Sequence, residues 1–130
     1  VTVLLIDSGI DTRADLTGLL PPAMRSRIEP ELLAEAPNAS ALRVLATIRD
    51  PRWHAHVHPA RIDWPALLEW ARARPDGPAN SVRVRLEIAA SLAGHPGAHV
   101  QLLYAARVLD RANYLAVLDA LRIAVEGISA

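Results

Sequence analysis

Three imidazoles, His54, His56 and His58, stand two residues apart in the run Trp53-His54-Ala55-His56-Val57-His58. Neutral imidazole binds zinc, and three of them on one face make an open metal site. Alternation of Trp53, Ala55 and Val57 with the histidines predicts a half-buried strand, which would place all three rings on one side. His95 and His99 lie downstream, but Gly94, Pro96 and Gly97 set them in a loop. The competing reading is a solvated, His-rich strand face. A second group is basic. Arg72 and Arg74 close one expected helix, and Arg83 and Arg85 open the next. Across a short loop they could gather phosphate or nucleic acid. Against that, arginines suit a helix C-terminus, Arg83 sits four residues before Glu87 as in a surface ion pair, and no aromatic residues interleave with the group. On a helical projection Arg85 falls among Val82, Ala89 and Leu92, so its stem packs and its head seeks solvent or a carboxylate such as Asp110 or Asp119.

A third motif is Asp7-Ser8-Gly9-Ile10-Asp11, followed by Asp15-Leu16. After an apolar strand it resembles the segment around the catalytic aspartate of subtilisin-like serine proteases. Ala14 departs from the histidine expected just before the Asp-Leu pair. A triad also needs a positioned histidine and serine, and the chain has no His-Gly-Thr-His and no Gly-Thr-Ser-Met-Ala segment. The motif therefore reads as a strand, Val1–Ile6, ending in a turn that uses Asp, Ser and Gly for local hydrogen bonds.

The chain has 130 residues, one domain's length. Folding at this size buries roughly two-thirds of the unfolded surface. Hydrophobic residues at 52% and charged residues at 22% fit a globular chain rather than a disordered one. Fourteen basic residues, all arginine, balance fourteen acidic ones, so no net field favours nucleic acid or an anionic membrane. Cysteine is absent, which excludes disulfides, thiolate metal sites and a cysteine nucleophile. No apolar run reaches membrane-spanning length. The expectation is a cytoplasmic protein with no membrane segment. No phosphate-binding glycine loop or recognised carboxylate pair implies a cofactor or catalysis.

Patterning places helices near 64–74, 82–93, 99–108 and 111–126. Asp63 and Asp110 are N-caps, Asn80 or Ser81 caps the second helix, and Gly94 and Gly127 are stops. Glu29-Pro30-Glu31 starts a short helix ended at Pro37-Asn38, and residues 40–49 fit helix or strand, with helix preferred. The fold expected is mainly α: a C-terminal bundle of about four helices over 63–130, and a less regular segment over 1–62 with one or two short strands, in a single domain. The last helix is the expected centre. Tyr114, Val117, Leu118, Leu121 and Val125 share its apolar face, while Asp119, Arg122 and Glu126 mark a wet strip. Leu115 and Ile123 beside that strip, with Asp119 and Arg122, would then meet a second copy or a protein partner. Trp64, Trp70, Tyr104 and Tyr114 are read as core, with any exposed member favouring an interface.

The segment Asp63-Trp64 with Leu67-Leu68, then Ile88-Ala89-Ala90-Ser91-Leu92, then Leu109-Asp110-Arg111-Ala112-Asn113 and Val117-Leu118-Asp119-Ala120-Leu121 resembles the C-terminal part of a family of small uncharacterised all-helical proteins from high-GC bacteria. Pro78-Ala79-Asn80-Ser81 replaces that family's Ser-Gly-Gly-Glu-like turn. The resemblance implies a helical fold; the family has no known activity, so it adds no chemistry. The expected role is a small interaction or regulatory module without catalysis, self-associating or partner-binding. An arginine-patch nucleic-acid binder and a histidine-based metal protein or enzyme are the alternatives.

Overall fold

The computed structural model describes residues 9–130. The expected strand Val1–Ile6, and Asp7 and Ser8 of the protease-like motif, lie outside the described residues. Within them the chain forms eight α-helices and one 3-10 helix: α1 (Arg13–Leu19), α2 (Pro22–Arg25), α3 (Pro30–Ala34), α4 (Ala36–Leu45), the 3-10 helix Pro51–His56, α5 (Trp64–Arg72), α6 (Asn80–Leu92), α7 (Leu102–Val108) and α8 (Arg111–Glu126). The four C-terminal helices stand where the pattern placed them.

The N-terminal half is helical rather than mixed. Thr12 and Asp15 form a reciprocal capping box at the start of α1. Prolines in the first turns of α2, α3 and α4 sit where a missing N–H costs nothing. Pro37 thus opens α4 instead of ending α3. No strand forms among the described residues. Of the segment expected as a strand at 53–58, residues 53–56 belong to the 3-10 helix, because Asp50 caps it by accepting the Arg52 N–H and Pro51 opens it. Among the described residues extended pairing is confined to isolated bridges, Val57 with Ile62 and Thr12 with Ser129.

The centre of the core is α4, not the last helix. Ala39, Ser40, Ala41, Leu42, Val44 and Leu45 are all buried. α8 and α6 lie against it, and α1 and α3 pack on it from the N-terminal side. Small residues permit this: Ala39 and Ala41 on α4 and Ala116 and Ala120 on α8 are enclosed, so the backbones approach closely. The core runs from Leu16 to Ile123 through both halves of the chain. Segment 63–130 therefore completes its packing on helices from 1–62.

α8 is turned over relative to the expected orientation. Its buried residues are Ala116, Asp119, Ala120 and Ile123. Its exposed residues include Tyr114, Leu118, Leu121 and Val125, at 49%, 43%, 47% and 85%. At 100° per residue these four fall on one stripe, directly opposite Ile123. The face expected to enter the core thus meets solvent, and Asp119 of the expected wet strip lies inside.

Candidate functional site

Two buried carboxylates organise the polar interior. Asp119 extends from the inner face of α8 with its side chain 2% exposed. Its Oδ2 accepts from Arg43 Nε of α4 at 2.7 Å. Its Oδ1 accepts from Arg122 Nη2 at 2.9 Å and from the Ile10 amide at 3.1 Å. Arg122 also donates to the Ile10 carbonyl. One carboxylate thereby joins α4, α8 and the segment entering α1, and both of its oxygens are satisfied, which a buried charge requires.

Glu87, on α6, is the second. Arg72, at the end of α5, donates to it from Nε at 2.8 Å and Nη2 at 2.9 Å, and the His99 amide donates at 2.9 Å. Arg72 Nη2 also reaches the Gly97 carbonyl at 2.7 Å. This fork ties α5 and α6 to the loop before α7. Burial alone pushes the Glu87 carboxyl up. The Arg72 hydrogen bonds and the His99 amide outweigh it and hold the group below the ordinary glutamate range. A carboxyl depressed on folding stabilises the protein above its unfolded value and loses that contribution as pH falls through its folded value. Stability should therefore decline as pH drops below 4.5, and Glu87→Gln should show a shallower decline in urea unfolding midpoints taken across that range.

The four arginines do not form one patch. Arg72 is engaged by Glu87 and Gly97. Arg74 donates to the Ala73 carbonyl and to Asn80 Oδ1. Arg83 does not pair with Glu87; its guanidinium lies over the Tyr104 ring, 5.7 Å from the ring centre. Arg85 is buried, at 7% exposure. Arg83 and Arg85 open onto different cavities, one beside Glu87, His99 and Tyr104 and the other beside Thr47, Asp110 and Asn113.

The histidines do not converge. A 3-10 helix advances 120° per residue, so His54 and His56 point to different sides of it, and His58 lies beyond its end, where its amide donates to the Arg61 carbonyl. His54 packs its ring edge-on to Trp53, with centroids 4.5 Å apart. Burial, then the nearby Arg27, lowers its pKa, and its Nε2 is enclosed without a hydrogen-bond partner. Among the described residues no group of three or more His, Cys, Asp or Glu could hold a metal ion.

Of the four residues expected to meet a partner, Ile123 and Asp119 are enclosed within this chain, Leu115 is half-buried and Arg122 is engaged by Asp119. Arg43 and Glu87 were not singled out from the sequence as site residues. Arg43 carried a signal: it is the one charge inside the apolar run Ala39–Ile48. No helix among the described residues is long and apolar enough to cross a membrane. No family model, curated protein or solved structure matches the chain.

Proposed function

We propose that the protein is a small interaction module without catalysis of its own, and that it pairs with a second copy of itself through the outer face of α8. The observation that carries this reading is the exposed stripe Tyr114, Leu118, Leu121 and Val125. Its 4-3-4 spacing is that of a two-helix seam. The stripe is self-complementary. An antiparallel crossing about a two-fold axis between positions 118 and 121 sets Tyr114 against Val125 and Leu118 against Leu121. It also brings exposed Arg111, at the start of α8, towards the exposed Glu126 at the end of the other copy's helix. Ala106 and Tyr114 border a shallow groove where α7 meets α8, and Leu102 and Leu103 on α7 are 80% and 63% exposed, so apolar surface continues beyond the seam.

Leu118→Glu tests the reading, because Leu118 is half-exposed in the single chain and its replacement leaves the core intact. Light scattering should show a concentration-dependent dimer for the parent and a monomer for the variant, with thermal unfolding of the dilute monomer little changed. A parent chain that stays monomeric at high concentration overturns the proposal, as does a Leu118→Glu dimer as tight as the parent's.

A further inference from the structure

Arg85 carries a second and independent inference. Its guanidinium is buried at the base of a polar cleft of about 380 Å³ lined by Thr47, Arg49, Asp50, Val82, Asp110, Ala112 and Asn113. Buried charges in proteins are normally paired with an opposite charge. Among the described residues, no carboxylate lies within ion-pair distance of Arg85; all its hydrogen bonds go to neutral groups. Nε donates to the Ser81 carbonyl at 3.2 Å. Nη1 donates to the Thr47 carbonyl at 3.1 Å, Thr47 Oγ1 at 2.9 Å and Asn113 Oδ1 at 3.2 Å. Nη2 has one partner, Ser81 Oγ, at 3.3 Å. A guanidinium has five N–H donors, two of them on Nη2, so one donor there is uncommitted among these contacts.

Neither acid at the cleft pairs with Arg85. Asp50 is held by Arg52, whose Nη2 lies 2.7 Å from its Oδ2. Asp110 caps α8 by accepting the Asn113 amide at 2.8 Å. Arg49, exposed at the rim, adds a second positive charge. We infer that this cleft binds a small carboxylate, its anionic group meeting the open side of the Arg85 guanidinium beneath Arg49. A planar monoanion suits a guanidinium edge. Asp110, which lines the same cleft, repels a phosphate dianion about twice as strongly as a singly charged carboxylate, so the arrangement favours the monoanion.

The test is a titration of the isotopically labelled protein with sodium acetate, following backbone amide signals at constant ionic strength held with sodium chloride. Saturable shifts centred on Thr47, Ala112 and Asn113 are expected. Arg85→Gln should weaken acetate binding by at least about tenfold, the equivalent of one charge-assisted hydrogen bond. If that variant does not fold, Arg49→Ala, altered at an exposed position, should still bind more weakly than the parent. The inference fails if acetate produces only the drift that chloride produces, if phosphate saturates the site and acetate does not, or if acetate binds both variants as it binds the parent.

Discussion

Asp119→Ala should lower the unfolding free energy by about 3–5 kcal/mol, the loss typical of breaking a buried ion pair from one side. The loss comes from what remains. Arg43 has a side chain only 12% exposed, and without Asp119 it keeps its charge inside the α4–α8 contact with no counterion. The Ile10 amide also loses its acceptor. Arg122, 30% exposed, can turn to Glu126 or Asp11, which already lie 3.8 and 3.7 Å away, so its share of the loss is smaller. Urea unfolding gives the number directly. A paired replacement separates charge from packing. Arg43→Met with Asp119→Leu should recover much of the loss, because two apolar groups of similar size leave no charge stranded. Failure of the pair to recover stability would mean that the hydrogen bonds of Asp119 to the segment before α1 matter more than the charge.

Trp53→Ala should lower stability by a similar about 3–5 kcal/mol, for a different reason. Trp53 is fully buried and is among the largest enclosed side chains. It anchors the 3-10 helix to the core, and its Nε1 donates to the Ile48 carbonyl at 3.0 Å, just beyond the end of α4. Removing the indole opens a cavity and strands that carbonyl. Trp53→Phe keeps most of the apolar volume and deletes the donor. Its expected loss is about 1–3 kcal/mol, the range for leaving a buried polar group unsatisfied. Thermal and urea unfolding of the two variants distinguish volume from hydrogen bonding.

The helices of the second half were legible because their signals are local. Asp63 and Asp110 are caps, and their side chains accept from Ala66 and Asn113. The orientation of α8 was not legible. Both of its faces are apolar, and periodicity identifies a stripe without saying which side is inward. Large Tyr114, Leu118 and Leu121 suggested the core, but Ala116 and Ala120 take the inner side because α4 needs close approach there. Asp119 looked wet because its partner, Arg43, is 76 residues away in sequence. The 3-10 helix at 51–56 was hidden for a related reason. Alternation over six residues suits a strand, and the burial of Trp53 against Ile48 decides against it. Of the candidate site residues, Arg85 is buried as its place among apolar neighbours suggested, but its head bonds neutral groups rather than Asp110 or Asp119: Thr47 comes from the turn after α4 and Asn113 from α8, beyond any local window.

The polar clasp at Asp119 also bears on the speed of the fold. Its bonds join positions separated by 76 and 109 residues. Such distant partners meet only after the entropy of closing long loops has been spent, whereas the helices and their nearest pairings need no such closure. The clasp is therefore expected to form after the transition state, which refolding and unfolding rates of Asp119→Ala would check. Weakening it should leave the refolding rate nearly unchanged and accelerate unfolding. On that expectation Asp119 sets how long the native state lasts once formed rather than how quickly it is reached.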